Sequence, residues 1–392
     1  MKRFAKIVIG LAFGDEGKGL TTDYLCAQYP NSLVVRFSGG QQCGHQVAIG
    51  DQRHIHASFA SGTLRGLPSY FTEHCCFYPV TLLEEYKLLL KKGVKPTLYL
   101  HPLCKLTTPF DVLANRISEK QQAHGSCGLG IGKTMQREQQ GYHLFAIDSL
   151  YPEILAQKLN LLRDYYFKLY DFNVEELTWL SQELTLFQQA ITERAYQIAD
   201  YDLWQTYEHF IFEGSQGILL DQKHGLFPHV TYANTTSKNA VELCQRFNID
   251  YEVFYVSRCY GTRHGKGWLP QENNQIDIIA NPHETNHFNQ YQGEFRFAEL
   301  DYAALNYALT VDRIYAGNCP KNLVMTCLDQ RPHFKMDYNQ FPKNFKAIYE
   351  SYSADSAHLT HLKNPILTLE NILLSTTLIP NKAKKEKTLK NA

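Results

Sequence analysis

Short apolar runs that end in glycine or polar turns recur along the chain and alternate with helical stretches. Runs of this kind are typical of parallel strands that are buried on both faces. They occupy residues 6–11, 32–37, 97–100, 210–212, 253–256 and 323–326. Residues 82–92 instead have the spacing of apolar positions that is typical of a helix. The alternation predicts the α/β class, with a mostly parallel central sheet covered by helices.

The same pattern predicts how the chain is organised. Residues from about 150 to 210 have helical periodicity and few glycines, which predicts a helical insertion. We predict one α/β domain over residues 1–380, followed by a flexible basic tail over residues 381–392. The tail contains Lys382, Lys384, Lys385, Lys387 and Lys390.

Composition changes this picture little, but it excludes several classes of function. Of the 392 residues, 44% are hydrophobic and 20% are charged, which is typical of a globular protein. Lys+Arg and Asp+Glu both total 39, so no global basic surface indicates a nucleic acid or an anionic membrane as a partner. The chain contains no run of about 18 apolar residues, so we expect no membrane span.

The cysteines and the first apolar run bear on localisation. None of the 10 cysteines forms a C-x-x-C pair, which argues against a structural zinc site and favours free thiols in a reducing compartment. The apolar run after Arg3 breaks at Gly14 without a small-residue cleavage site, which favours a first strand over a signal peptide. We therefore expect a cytoplasmic protein.

The strongest chemical signal is the segment GDEGKG at residues 14–19, between the first predicted strand and a helical stretch. Glycines let backbone N–H groups approach phosphate oxygens, and a helix N-terminus stabilises their negative charge. Lys18 adds a point charge for a transferable phosphate. The Walker A pattern is absent, and Asp15 would repel a phosphate unless it binds a metal or takes a proton. A tight structural turn is the alternative interpretation of this segment by itself.

A second glycine-rich segment, GGQQCGH at residues 39–45, follows the second predicted strand. His45 in this position is suited to donate a proton or a hydrogen bond to a developing anion. A turn with an incidental histidine is the alternative interpretation.

Together these two segments resemble the adenylosuccinate synthetase family, whose phosphate loop is G-D-E-G-K-G and whose second loop ends in A-G-H. Further segments are similar to family motifs in the same order: HASFASG at 56–62, GSCGLGIG at 125–132, FEGSQG at 212–217, TRHGKG at 262–267 and TCLD at 326–329. The similarity extends from about residue 7 to residue 376. It implies a P-loop-like nucleotide-binding fold and a ligase that forms adenylosuccinate from IMP, aspartate and GTP.

The resemblance also implies roles for individual residues. Asp15 would take the N1 proton of the purine, His45 would stabilise the phosphoryl group in flight, and Lys18 would complete the catalytic set. Asp15 and the Gly44 carbonyl would hold Mg²⁺. The nucleotide-binding residues implied are Gly14, Glu16, Gly17, Lys18, Gly19, Gly44 and Asp329, with Asp329 on the guanine.

The substrate-binding residues and the assembly follow from the same resemblance. The acceptor purine nucleotide would contact Gln42, Ser126, Cys127, Gln216 and Thr231. The amino donor would contact Arg296. The resemblance implies small-molecule substrates, which are IMP or a related purine, aspartate and GTP, and a homodimer with the site near its interface.

The sequence departs from the family pattern at positions that are expected to contact the acceptor nucleotide. Gln42 replaces an asparagine that holds IMP, and Ser126-Cys127 replace a threonine pair. The arginine that reaches across the dimer to the IMP phosphate falls near Gln139, where a gap makes the alignment ambiguous. Among the residues expected to contact the 5′-phosphate, Thr231 is the one that clearly matches the family pattern.

Departures also occur around the amino donor and the guanine. The family's T-T-G-R-R-R-R run aligns with residues 291–296, where Arg296 remains and Glu294 adds a like charge beside an expected dicarboxylate. Cys327 replaces the lysine that precedes the guanine-binding acid. Residues 374–377 match the family's guanine loop only in part.

Four functional hypotheses stay open. The first is an ordinary, divergent adenylosuccinate synthetase, and the second is the same chemistry on a shifted acceptor, amine donor or nucleoside triphosphate. Relatives that act on dGMP usually lack the aspartate of the phosphate loop, whereas Asp15 is present here. A non-catalytic nucleotide-binding regulator is the third, against which Asp15, Lys18 and His45 argue. A metal hydrolase built on His54 and His56 is the fourth; we expect no nearby carboxylate to complete its ligand set.

Overall fold

Helices and strands alternate through most of the computed structural model, which describes residues 2–362 apart from 123, 124, 273, 274, 283, 287 and 289. The strands in these residues are β1 (Phe4–Gly10), β2 (Leu33–Arg36), β3 (His45–Ile49), β4 (Gln52–His56), β5 (Ser69–Phe71), β6 (Cys76–Phe77), β7 (Leu98–Leu100), β8 (Lys105–Leu106), β9 (Gln197–Ile198), β10 (His209–Gly217), β11 (Asp250–Arg258), β12 (Gly261–His264), β13 (Phe295–Ala298), β14 (Lys321–Thr326), β15 (Ala347–Ser351) and β16 (Leu359–Leu362). The α-helices are α1 (Lys18–Gln28), α2 (Pro79–Lys91), α3 (Pro109–Gln122), α4 (Ile131–Gln139), α5 (Pro152–Leu169), α6 (Val174–Glu193), α7 (Lys238–Arg246) and α8 (Tyr302–Ala316). The predicted basic tail and residues 374–377 lie outside the described residues.

Ten strands form the central sheet in the spatial order β16-β15-β14-β11-β1-β10-β2-β5-β7-β9, counted within the described residues. Neighbouring strands are parallel except for β15 and β16 at one edge. The strands predicted from apolar runs are β1, β2, β7, β10, β11 and β14, so the predicted mostly parallel sheet is confirmed. Because parallel strands all end at one edge of a sheet, the loops after β1, β2, β10, β11 and β14 meet there.

Helices cover both faces of the sheet, as the alternation of buried side chains along β1 shows. Val8 packs with Leu20 and Leu25 of α1. Ile7 and Ile9 point the other way, into the core that includes residues of α7 and α8. All the strand residues involved are fully buried, so this edge of the sheet is a rigid support for its loops.

The predicted helical insertion near residues 150–210 corresponds to α5 and α6, which pack against α2 and α3 around a second core. Asn173 caps α6: its side chain accepts from Glu176 N at 2.9 Å, and the Glu176 carboxylate accepts from Asn173 N at 3.1 Å. The segment is not purely helical, because β9 adds the last strand to one edge of the central sheet. Across the described part of the chain, no helix is both long enough and apolar enough to cross a membrane.

A buried ion pair joins α4 to α3. Arg137 and Asp111 are both fully buried, with Arg137 Nε 2.8 Å from Asp111 Oδ1. Arg137 also donates to Leu106 O at 2.6 Å, and the Tyr166 hydroxyl donates to Asp111 Oδ1 at 2.7 Å. The pair therefore fixes α4 against α3, β8 and α5, and with it the glycine-rich loop that leads into α4.

Replacing Asp111 with alanine should remove the nearest carboxylate from the buried Arg137, which keeps only Glu138 at 3.1 Å, and should leave the Tyr166 hydroxyl without its acceptor. We expect the free energy of unfolding to fall by about 3–5 kcal/mol, measured by urea denaturation. The matched control is Asp164→Ala, because Asp164 pairs with Arg163 on the exposed face of α5. That change should cost less than about 1 kcal/mol, and equal losses in the two variants would contradict the role given to the buried pair.

Candidate active site

A cavity of about 540 Å³ opens where the loops after β1, β2, β10, β11 and β14 converge. Its lining includes every site residue named from the sequence except Arg296: Gly14, Asp15, Glu16, Gly17, Lys18, Gly19, Gln42, Gly44, His45, Ser126, Cys127, Gln216, Thr231 and Asp329. These residues come from segments that are far apart in the chain. The fold therefore brings the predicted phosphate, purine and guanine contacts to one place.

The loop after β1 is held from inside by Glu16, whose side chain is almost fully buried. One carboxylate oxygen accepts from the backbone N–H groups of Ala12 at 3.0 Å and Gly14 at 2.9 Å. The other oxygen lies 2.6 Å from Lys18 Nζ. Glu16 was predicted to bind the nucleotide, but its side chain is engaged by the loop itself and acts as a support for it.

The end of this loop has backbone geometry that suits an anion. Gly14 and Asp15 have positive φ angles of 110° and 61°, and Gly17 (φ 98°) precedes α1 without any side chain capping the helix. A Cβ atom on Gly17 would lie 2.9 Å from Cγ2 of Thr326, so glycine is needed for the loop to pack against the end of β14. The uncapped N–H groups of α1 are thus available to phosphate oxygens.

The Asp15 carboxylate, the predicted base, lies in a desolvated and positively charged environment. Burial raises its pKa, and the positive charges of Arg258, His264 and Lys18 oppose that rise. Arg258 also donates a hydrogen bond to the carbonyl oxygen of Asp15, which fixes the backbone beside the carboxylate. A desolvated carboxylate takes up a proton more readily than one in water.

His45 forms a dyad with Glu213 of β10. Its Nδ1 lies 2.7 Å from Glu213 Oε1, and Glu213 Oε2 accepts from Ser61 N at 3.1 Å. Burial lowers the pKa of His45, and Glu213 opposes that effect. Although burial disfavours its ionisation, the charges of His45 and Arg36 bring the pKa of Glu213 down to about 2. With its Nδ1 proton donated to this carboxylate, His45 keeps Nε2 for a ligand.

Several buried polar atoms in the cavity wall have no hydrogen-bond partner among the described residues. They are both amide atoms of Gln42, Oε1 of Gln216, Nε2 of His45 and Nδ1 of His264. Gln216 is also held at a positive φ of 52°, which costs backbone energy. Each unsatisfied buried group costs about 1–3 kcal/mol, so these atoms favour a polar, planar ligand that supplies donors and acceptors.

The predicted metal ligands lie together in the wall of the cavity. The Asp15 carboxylate and the Gly44 peptide both line it, and they offer a carboxylate and a carbonyl oxygen. Hard oxygen donors of this kind suit Mg²⁺, which keeps its remaining sites for water and phosphate oxygens. The residues therefore fit a magnesium ion.

Arg296 lies apart from the other predicted residues. Its Nη1 is 2.7 Å from both carboxylate oxygens of Glu272, and its Nη2 donates to Gly267 O at 2.7 Å. It borders an adjoining depression together with Lys266 and residues 290–294. The guanidinium predicted to bind the amino donor is thus already paired with a carboxylate, which an alignment of motifs does not reveal.

The cavity also contains charged residues for which the sequence predicted no role. Arg258, Arg263, His264 and Glu284 all line it, and Arg258 lies 3.1 Å from Glu284. Burial lowers the pKa of Arg263 to about 10. The available signal was the position of Arg258 at the end of a buried strand, where functional residues of parallel sheets concentrate.

One expectation from the sequence is wrong. A carboxylate does accompany His54 and His56: Glu85 of α2 has an oxygen 3.2 Å from His54 Nε2. Glu85 is distant in sequence and comes into contact only because α2 packs against β4. All three residues lie outside the lining of the cavity.

Comparison with known proteins relates this geometry to a family. The family model described as adenylosuccinate synthetase matches residues 7–346. The adenylosuccinate synthetase of Thermodesulfovibrio yellowstonii is 31% identical over 286 residues, which cover 68% of this chain and 64% of that protein. That of Chlorobium chlorochromatii is 30% identical over 337 residues, which cover 79% and 74%. The chain thus spans about two thirds to three quarters of the length of these relatives.

Two solved structures share the fold. A fully ligated adenylosuccinate synthetase from Plasmodium falciparum superposes with a TM-score of 0.63 and 20% identity, covering 83% of this chain and 77% of that one. A cyanophage S-2L succinoaminodeoxyadenylate synthetase bound to dGMP and dATP gives a TM-score of 0.63 and 15% identity, covering 96% and 99%. Because the family match spans most of the chain and agrees with the phosphate loop, the dyad and the cavity, this chain belongs to the adenylosuccinate synthetase family.

Proposed function

We propose that this protein is a ligase that forms a C–N bond in purine nucleotide biosynthesis, converting IMP, aspartate and GTP to adenylosuccinate. The observation that carries the proposal is the cavity in which Asp15, Lys18 and His45 meet the unpartnered amide of Gln42 and the unpartnered Oε1 of Gln216. A base, an anion loop and a planar polar surface are what this two-step reaction requires.

In the first step, the purine 6-oxo group is converted to a leaving group. Asp15 removes the N1 proton, which moves negative charge onto O6, and O6 attacks the γ-phosphorus of GTP while GDP leaves. Lys18 and the N–H groups at the start of α1 bind the phosphate oxygens. Mg²⁺, held by Asp15 and the Gly44 carbonyl, would neutralise part of the phosphate charge.

In the second step, the neutral amine of aspartate attacks C6 and inorganic phosphate leaves; the nitrogen loses one proton and keeps the other as the N–H of the product. His45, once protonated, donates from Nε2 to the phosphoryl group, and Glu213 stabilises the resulting imidazolium in this buried setting. Gln216 hydrogen-bonds the purine edge. Asp329, at the exposed rim of the cavity, accepts the two N–H donors of guanine.

The remaining contacts of the acceptor and the assembly state complete the proposal. Thr231, Ser126 and Cys127 line the part of the cavity assigned to the 5′-phosphate, and Gln42 faces the same nucleotide. We propose a cytoplasmic homodimer, in which the partner subunit lies beside this region. The proposal is supported by the family match.

A second candidate is the same chemistry with another purine or another amine donor. The observation that favours it is the pairing of Arg296 with Glu272. Glu272 neutralises the positive charge that was expected to bind the dicarboxylate donor. The fold likeness to the dGMP-bound phage synthetase extends over nearly the whole length of both chains. The presence of Asp15 nevertheless favours IMP as the acceptor.

The two candidates differ in the products of one assay. Purified protein with Mg²⁺, GTP or ATP, and IMP, dGMP, GMP or inosine should release phosphate only with IMP, GTP and aspartate together. Phosphate release is measured with and without aspartate. No phosphate release with IMP, together with release with another acceptor or donor, would support the second candidate. No phosphate release with any purine would contradict both.

Substitutions in the proposed reaction centre should remove catalysis and leave the fold intact. We expect Asp15→Asn and His45→Asn each to lower kcat by about 10²–10⁴-fold, because each removes a proton-transfer group. Asp164→Asn makes the same chemical change on the exposed face of α5 and should leave kcat unchanged. Retained turnover in either active-site variant, with native circular dichroism, would remove that residue from the mechanism.

Arg296→Gln tests whether this arginine binds the donor. If aspartate displaces Glu272 from the guanidinium, the KM for aspartate should rise by about one to two decades, with the KM for IMP unchanged, since a charged donor is lost. Steady-state kinetics with each substrate varied in turn provide the measurement. An unchanged KM for aspartate would leave Arg296 a structural partner of Glu272.

A further inference from the structure

A cluster of three potential metal ligands lies outside the active-site cavity. His54 and His56 of β4 and Glu85 of α2 each place one ligand atom within 4.8 Å of the other two, and all three side chains are buried. His54 Nε2 lies 3.2 Å and His56 Nδ1 3.6 Å from the same oxygen, Glu85 Oε1. The cluster is thus centred on one carboxylate oxygen and two imidazoles.

The fold holds this cluster rigidly. Successive residues of a strand point to opposite sides, so His54 and His56 share one face of β4 while Ile55 lines the cavity on the other. Glu85 Oε2 accepts from the N–H groups of Ala57 at 3.1 Å and Ser58 at 2.6 Å. These backbone bonds orient the carboxylate and direct its second oxygen towards the histidines.

His56 is the unexplained member of the cluster. It has no exposed surface, and neither of its ring nitrogens has a hydrogen-bond partner within the described residues. Burial lowers the pKa of His56, which favours the neutral imidazole. Despite burial, the hydrogen bonds that Glu85 accepts from His54 and from the Ser58 N–H group lower the pKa of Glu85 to about 2. A neutral imidazole beside an ionised carboxylate is the protonation state in which metals are bound.

We propose that His54, His56 and Glu85 form a binding site for a divalent transition-metal ion of the Zn²⁺ class. Imidazole nitrogens and one carboxylate oxygen are a donor set that such ions prefer, whereas Mg²⁺ prefers oxygen alone. The site differs in position and chemistry from the Asp15 and Gly44 site, and it does not depend on the proposed ligase activity.

The neighbouring lysine makes the proposal specific. Lys92 Nζ lies 3.2 Å from His54 Nδ1, so in the metal-free protein Nδ1 accepts this bond and Nε2 carries the ring proton. Binding of a metal at Nε2 moves that proton to Nδ1 and releases Lys92, whose side chain is exposed, to solvent. No net proton is lost in this exchange of tautomers. Removing the lysine should therefore tighten metal binding.

Occupation of the site would stabilise the hairpin that carries the active-site histidine. β3 and β4 pair in antiparallel register, with His45 directly opposite His56. A metal that joins β4 to α2 would therefore restrict the strand beside His45. We assign the ion this structural role, because its ligands do not line the cavity.

The test uses full-length protein freed of metal by chelation, in the Asp15→Asn background so that the proposed magnesium site does not contribute. Isothermal titration with Zn²⁺ should give one equivalent bound, and the near-ultraviolet spectrum with Co²⁺ should lack the thiolate charge-transfer band that cysteine ligation would produce. We expect His54→Val to weaken binding at least about 100-fold, since a ligand is lost, and Lys92→Met to strengthen it. Urea unfolding should shift to higher denaturant with Zn²⁺ only in proteins that retain His54.

His358→Val is the matched control, because it removes an exposed histidine. It should bind Zn²⁺ like its parent. Because Glu85 also supports the backbone, Glu85→Gln serves as a second ligand variant only if its circular dichroism is native. No binding, equal binding by the parent and His54→Val, or a thiolate band in the Co²⁺ spectrum would each overturn the proposal.

Discussion

The buried carboxylate of Glu16 is the interaction on which the reaction centre depends. It lies beneath the loop after β1 and joins two backbone N–H groups to the Lys18 amine. Its space exists only because Gly10 and Gly217 have no side chains: a Cβ at either position would come within 2.3 Å of a Glu16 carboxylate oxygen. Two central strands must therefore end in glycine for the loop to form. The loop in turn positions Asp15 and exposes the first N–H groups of α1.

The charges around the cavity are arranged in buried, alternating pairs. Glu213 lies between His45 and the Arg36 charge, and Arg258 lies between the Asp15 loop and Glu284. Buried pairs of this kind add little net stability, because desolvation offsets most of their attraction. What they provide is a fixed position for Asp15 and His45, the proposed base and proton donor, which line the same cavity. The unpartnered polar atoms occur at the faces where substrates would bind, because a bound substrate would supply their hydrogen-bond partners.

Whether the sequence could predict an element or a contact depends on how buried its residues are and on whether its partners are near in the chain. Strands such as β1 and β11 are buried on both faces, so their apolar runs stand out, and the loops that follow them carry recognisable chemistry. The hairpin of β3 and β4 is half exposed and carries histidines, so its pattern gave no clear strand signal. The contacts of Glu85 with His54 and of Glu272 with Arg296 form only because separate elements pack together. Such partnerships are decided by three-dimensional proximity, which spacing along the chain does not encode.

These differences separate the parts of the site that tolerate change from those that do not. Glu16 and Glu213 are buried and each accepts several hydrogen bonds, and Lys18 is buried against Glu16, so a substitution at any of the three breaks a buried charged contact. Cys127, Glu294 and Asp329 instead lie on loops at the rim, where a new side chain meets ligand or solvent rather than a packed partner. Under the proposed function, such a chain is therefore free to change which purine or amine it accepts while the proposed phosphoryl-transfer centre stays fixed. The departures at the rim and the intact loop after β1 are the expected result of one scaffold under these two different constraints.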